Sequence, residues 1–369
     1  MYKNHEHEGL VISQIKTEFD ACSLETAPEN DRNEALAIVI GCYQLDQNKC
    51  ADGSNPQTRS GQLRTYTIAN NSLEFGDAHV TNLHQGGGVL DCKWLPKRNL
   101  LASALSSGEI AFHVLETTLN DGKFRLTRIQ VEQELAHESN TICLALDWSI
   151  QGGEYHLVSS YSNGQVVIHQ IDWTEETLEL KMQEIHRWKA HTLFGKTPSE
   201  VWTCCWAKYH PIVLSGGNDG TMKGWDLRSC LSRPIFQVGD CEYQAGVTAL
   251  SWQVSNHNTF ASGSYDEGVR LWDIRTLSSN GREPLARMSS CGGGIWRLKW
   301  HPQHQDKLLV AAMHGGCCVL TLEDNSFRKI SALTNMHQSM AYGADWLGNS
   351  EHAASCSFYD QLACIWKAL

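Results

Sequence analysis

The chain has 369 residues, of which 41% are hydrophobic and 19% charged, and its formal net charge is −11. A chain of this length can bury a large core without disulfide or metal staples, and its acidic balance repels nucleic acid and anionic membranes while favouring cationic partners, although an ordinary acidic cytosolic protein reads the same way. No run of 18 apolar residues is present, so no membrane span is expected.

The N-terminus, Met1 to Glu8, is polar and lacks the apolar core of a signal peptide. An intracellular, cytoplasmic protein is therefore expected, with its fourteen cysteines reduced. Several of these, Cys92, Cys143, Cys204, Cys318, Cys356 and Cys364, lie inside apolar strand patterns and read as small buried hydrophobes. No Cys-x-x-Cys pair suggests zinc, and no metal or cofactor is expected.

In chain order, Leu10 to Lys16 alternates apolar and polar residues and reads as a strand, within about residues 9–18. The next unit reads as strands at Ala21 to Leu24, Ala35 to Leu45 and Gly61 to Ile68, with the polar stretch 46–60 as a loop. A short apolar run ending in tryptophan then recurs at Trp94, Trp148, Trp206, Trp252, Trp300 and Trp346, at intervals of 54, 58, 46, 48 and 46 residues. That is the period of a propeller blade, stretched in the first half by insertions. In three units a third strand ends in a second tryptophan, from Trp206 to Trp225, Trp252 to Trp272 and Trp346 to Trp366, spacings of 19, 20 and 20 residues. Trp225-Asp226 and Trp272-Asp273 are the WD dipeptide itself. The expected fold is all-β, a single seven-bladed WD-repeat propeller over residues 1–369, with the N-terminal strand supplying the outer strand of the last blade and so removing an open edge.

Turn residues divide into expected and unexpected. Asp219, with Ser215 four residues earlier and His191 in the preceding loop, reads as an intrablade hydrogen-bond set and not as a catalytic triad, and no G-x-S-x-G elbow is present. Asp266 and Asp360 repeat the spacing, with Ser262 and Cys356 four residues earlier. In blade six His314 stands at the aspartate position. It is a candidate general base or acid, or a drifted turn residue. Four residues before each repeat tryptophan, three blades carry rings: Trp202, Trp296 and Tyr342. Tyr265 and Tyr359, each preceding a turn aspartate, extend the set. Such rings form a site for a quaternary ammonium by cation–π attraction, or else ordinary packing or a protein-contact patch. Arg297 beside Trp296 suits a carboxylate or oxyanion, or a structural ion pair.

The stretches Ser215-Gly216-Gly217-Asn218-Asp219-Gly220, Gly263-Ser264-Tyr265-Asp266-Glu267, Gly293 to Pro302, Met313-His314-Gly315, Tyr342 to Trp346, Cys356 to Asp360 and Gly41 to Leu45 resemble the diphthine methylesterase WD-repeat proteins. The likeness spans essentially the whole chain, and Gly316-Cys317, where an aromatic is expected near Gly316, departs from it. The resemblance implies a role in diphthamide formation: hydrolysis, before amidation, of a methyl ester on the modified histidine of translation elongation factor 2, a group that carries a trimethylammonium. On that reading His314, with a carboxylate such as Asp266, activates water, Arg297 or backbone N–H groups hold the oxyanion, and Trp202, Trp296, Tyr342, Tyr265 and Tyr359 face the cation. The expected partner is the elongation factor, with no nucleic acid or membrane, and the chain is expected to be a monomer. The other reading is a non-catalytic WD-repeat adaptor, since most such propellers are interaction platforms.

Overall fold

The structure, a computed structural model, describes residues 6–28, 35–45, 59–69, 71–83, 87–118, 122–133, 141–239, 241–253, 256–277 and 283–369. Seven antiparallel sheets follow one another as blades around a central channel. Their innermost strands are Asp20–Thr26, Val89–Trp94, Cys143–Gln151, Val201–Trp206, Val247–Trp252, Arg297–Trp300 and Ala341–Trp346. Each is joined outward to further strands, as in blade four, with Ile212–Gly217, Met222–Asp226 and Phe236–Val238. Of the expected loop 46–60, residues 46–58 lie outside the described residues, while Arg59 and Ser60 already belong to the strand Arg59–Ala69.

The outer strand of blade seven comes from the N-terminus. Leu10–Lys16 pairs antiparallel with Leu362–Lys367, with one register shift between Val11 and Ser13. Upstream, His7–Glu8 pairs in parallel with the outer strand of blade six, at Ser331 and Ala332, an addition the alternation pattern did not foretell. Gly9 links the two. A Cβ there would lie 2.5 Å from the Trp366 ring, so the crossing between blades takes glycine.

The repeat tryptophans join neighbouring blades. The indole N–H groups of Trp148, Trp300 and Trp346 donate to the carbonyls of Lys93, Ser251 and Lys299 on the preceding innermost strand, at 3.0, 3.2 and 2.9 Å. Three carboxylates do the same in the forward direction. Asp91, Asp147 and Asp345 accept the backbone N–H of Leu146, Trp206 and Thr26 on the next blade, at 3.1, 2.8 and 2.9 Å. These bonds satisfy buried polar groups while fixing the angle between sheets.

The WD tryptophans act within a blade. In blade four Trp225 donates to Ser215 (2.9 Å), Ser215 meets His191 Nε2 (2.8 Å), and His191 Nδ1 lies 2.9 Å from Asp219. Asp219 is held low, at about 2: burial works against this, but His191, Thr221 and Lys223 outweigh it. Blade five puts the Tyr243 hydroxyl where His191 stands, 2.7 Å from Ser262, which accepts from Trp272 at 2.8 Å. In blade seven the spacing points to Cys356, but the strand register differs: Ala353 faces Trp366 as Val213 faces Trp225, so Ser355 takes the place of Ser215. The turn is one residue longer, and His337 Nε2 meets Ser355 at 2.8 Å.

Removing the strand at Leu10–Lys16 opens the edge of blade seven and takes away Val11 and Ile15, which cover the neighbouring clusters. A chain lacking residues 1–18 should melt about 5–10 °C lower; an unchanged calorimetric melt would show that the ring does not depend on it.

His113 is fully buried, and among the described residues neither ring nitrogen has a hydrogen-bond partner. Burial, aided by Arg128, pushes its pKa down to about 3. Between that value and the unfolded value near 6.5 only the unfolded chain binds the proton, so stability falls as pH falls through this window. At pH 5 the cost is about 2 kcal/mol relative to neutral pH. His113→Leu should therefore raise the melting temperature more at pH 5 than at pH 7.5; equal gains at both would contradict a buried neutral imidazole.

Candidate functional site

The first residues of the innermost strands gather at one end of the channel, as do the turns between second and third strands. Here the rings Trp202, Trp296 and Tyr342 converge with Tyr265. Ring centroids are 5.7 Å apart for Trp202–Trp296, 4.8 Å for Trp296–Tyr342, 6.3 Å for Trp202–Tyr265 and 6.0 Å for Tyr265–Trp296. All four are half-buried. The arc continues through Phe358, 5.5 Å from Tyr342, to Tyr43 at 4.9 Å. Tyr359 extends from Phe358, with ring centroids 4.9 Å apart, and is 70% exposed.

Three glycines allow the arc to form. Gly292, Gly293 and Gly294 pack on the turn Met313 to Gly316. A Cβ on Gly293 would sit 2.3 Å from the Ala312 carbonyl oxygen, and one on Gly294 would sit 3.1 Å from both Met313 Sδ and the Tyr265 ring. The Met313 thioether thus lies beside the rings, a favourable neighbour for them. Burial raises Tyr265 to about 12, with the Glu200 carboxylate adding to it, and raises Tyr342 as well, so both phenols stay neutral at physiological pH. Glu200 is fixed by the Asn218 side chain at 3.2 Å and brings a negative charge to the arc.

Under the rings the channel holds a cavity of about 250 Å³, lined among others by Leu90, Leu144, Thr248 and Arg297. Deeper in, three cations and three carboxylates from four blades form one network. Arg297 Nη1 meets Asp91 at 2.9 Å; Lys93 meets Asp91 at 2.9 Å and Glu25 at 2.7 Å; Lys299 meets Glu25 at 2.8 Å and Asp345 at 3.4 Å. Burial opposes ionisation of Glu25, but Lys299 and Lys93 outweigh it and hold the carboxyl below its usual range. Among the described residues the one ion pair of Asp345 is the longer contact to Lys299, and burial raises it. Asp91 is lowered, Arg297 and Lys93 prevailing over burial.

His314 lies at the same end, in the turn that follows Ala311, whose carbonyl accepts the Trp296 N–H at 2.9 Å. Its side chain is exposed, and among the described residues no hydrogen bond or ion pair engages it. Asp219, its counterpart in blade four, is buried against His191. Asp266 is differently placed. Arg270 holds its two oxygens at 2.9 and 2.8 Å, and the amides of Gly268 and Gln244 add bonds at 3.0 and 3.1 Å. Burial opposes ionisation here as well, but Arg270 and these amides keep Asp266 low, and none of its partners is His314. Its carboxylate fixes the turn that carries Tyr265. Among the described residues no group of three or more His, Cys, Asp or Glu is placed to hold a metal ion.

Tyr43, Phe358, Met313 and Glu200 were not singled out from sequence. The position four residues before each repeat tryptophan reports only the innermost strands, whereas these side chains come from second strands, turns and the loop entering blade four. Tyr43 and Phe358 lie within the stretches that carried the family resemblance, which was the one available signal.

The WD domain, G-beta repeat, matches residues 183–226 and 237–273. A crystal structure of the mitotic checkpoint complex contains a chain that superposes with a TM-score of 0.61 over 96% of this chain and 94% of that one, at 15% identity, a likeness of fold. The diphthine methyltransferase of Mus musculus is 33% identical over 98% of this chain and 75% of its own length. That of Homo sapiens is 31% identical over 91% and 74%. The diphthine methyltransferase homolog of Dictyostelium discoideum is 29% identical over 95% and 96%. With identities above 30% running nearly from end to end, this chain belongs to the diphthine methyltransferase family of WD-repeat propellers.

Proposed function

We propose that this chain hydrolyses the methyl ester of diphthine on translation elongation factor 2, the step of diphthamide biosynthesis that precedes amidation, in the cytoplasm. The observation that carries the reading is the arc of Trp202, Tyr265, Trp296 and Tyr342 at one mouth of the channel. The substrate side chain bears a trimethylammonium, which cannot donate hydrogen bonds and is bound best by ring faces, each contributing about 0.5–2 kcal/mol. Glu200 and the net acidic charge favour the same cation.

In this reading Trp202, Trp296, Tyr342 and Tyr265 hold the ammonium, and the neighbouring ester carbonyl points toward Arg297 at the cavity wall. His314, exposed at the rim, takes a proton from water as the oxygen attacks the carbonyl carbon. The guanidinium of Arg297, held in place by Asp91, stabilises the oxyanion of the tetrahedral intermediate. Collapse of the intermediate expels methoxide, which takes the proton from His314 and leaves as methanol; the carboxylic acid so formed loses its proton to solvent, and the carboxylate stays beside Arg297. Asp266 contributes by fixing the Tyr265 turn. The relatives' names specify diphthine and methyl chemistry; ester cleavage is the direction proposed here.

Incubating the purified protein with methyl-esterified elongation factor 2 and weighing the product tests the reading. Loss of one CH2 from the mass of the factor, with methanol released, supports it; binding with no mass change points to an adaptor. His314→Ala should lower kcat by about 10²-fold. Trp296→Ala should raise KM by about tenfold with a smaller change in kcat. Wild-type turnover by His314→Ala would remove that residue from the mechanism.

A further inference from the structure

One feature at the same mouth takes no part in this chemistry. The loop entering blade four forms a small hairpin, Thr192–Leu193 paired with Thr197–Pro198. At its tip Phe194 is 99% exposed, the most exposed large apolar side chain among the described residues. The ring contributes nothing to a core.

Its backbone is unfavourable as well. Phe194 has φ +50° and Gly195 φ +69°, and the Lys196 N–H donates to the Leu193 carbonyl at 3.1 Å. Two successive positive φ values are the pattern of a type I′ turn, whose first central position favours Asn, Asp or Gly. A bulky residue there is an outlier that costs stability. The chain therefore holds a phenyl ring in water at a position where an asparagine would be easier to fold.

The hairpin is firmly based. The Ser199 N–H donates to the His191 carbonyl at 3.2 Å, and His191 is locked into the Asp219–Ser215 set. Gly164 of blade three packs on both His191 and Ser199. Pro198 leads through Ser199 and Glu200 directly into Val201 and Trp202, so the hairpin precedes the innermost strand of blade four at the end where that strand contributes Trp202 to the arc.

We propose that the Thr192–Pro198 hairpin is a docking arm, and that Phe194 inserts into an apolar recess on the folded protein whose cationic side chain enters the mouth. This rests on reading the mouth as the site of a protein-borne trimethylammonium. A small ester fits the rings alone, whereas a folded substrate meets the rings and the arm together, and an exposed aromatic anchor is the kind of residue that dominates such contacts. The arm supplies selection for the carrier protein, separately from the chemistry at the rings.

The test is Phe194→Asn, which suits the turn better than the natural residue. Three quantities are measured for wild type and variant: the melting temperature, the Kd for methyl-esterified elongation factor 2, and the Kd for betaine methyl ester, a small trimethylammonium ester. The expected result is an equal or higher melting temperature, an unchanged Kd for the small ester, and a Kd for the protein weakened by about tenfold or more. An unchanged protein Kd in the variant overturns the proposal, as does a lowered melting temperature, which would make the ring a structural element. Wild-type binding of betaine methyl ester without binding of the protein sinks the arm and leaves the cation site standing. Binding of the protein, weakened in the variant, with neither ester hydrolysed, sinks the esterase reading and leaves the arm.

Discussion

A ring of sheets holds together only if its last blade is joined to its first, and here that join is made by Leu10–Lys16 lying along Leu362–Lys367. Everything at the channel mouth depends on it. Trp296 and Tyr342 belong to blades six and seven, and Tyr43 to blade one, so the aromatic arc crosses the place where the chain's two ends meet. The buried charges reinforce the same region. Glu25, Asp91, Asp345, Lys93, Lys299 and Arg297 come from blades one, two, six and seven, the four nearest the closure. Buried ion pairs add little net stability over well-packed apolar residues, yet an unpaired member is costly. Such a network therefore fixes which blades sit together more than it raises the melting point.

Carboxylates in this propeller divide by what surrounds them. Asp91, Asp147 and Asp345 link one innermost strand to the next; Asp219 and Asp266 hold turns against His191 and Arg270. All are satisfied by partners that the fold supplies. His314 is the contrast: it occupies a turn site where other blades bury a carboxylate, and its side chain stands in solvent. A residue released from the structural work of its position is the one the proposed mechanism uses as its base. Arg297 is both things at once, since Asp91 orients it while its side chain remains part of the cavity wall.

In the proposed reading the chemistry and the selection of a partner are separable: the rings and the cavity would take a cation and an ester, both small. The strained hairpin at Phe194 has its own support, fixed through His191 to the core of blade four. A propeller suits this division, because its innermost strands are rigid while its connecting loops vary at little cost to the core.

Strand repeats, blade number and closure were all legible in the sequence, because each rests on local spacing: a tryptophan recurs in each innermost strand after the first blade, and alternation marks the N-terminal strand. The three rings four residues before those tryptophans were legible for the same reason, since equal register in every blade brings equal positions to one mouth. What only the tertiary structure decided depends on distance along the chain. Nothing near Arg297 in sequence announces Asp91 as its partner, and nothing near Trp202 announces Glu200 as a neighbour of Tyr265 two blade edges away. The longer turn of blade seven moved the serine position from Cys356 to Ser355, which strand pairing reveals and spacing does not. Spacing marks Asp266 as first a turn carboxylate and second a possible aid to a base; Arg270 on both its oxygens supplies the partner that the spacing does not name. Spacing determines which face a side chain takes; only the closed ring, which brings distant segments into contact, determines what it meets there.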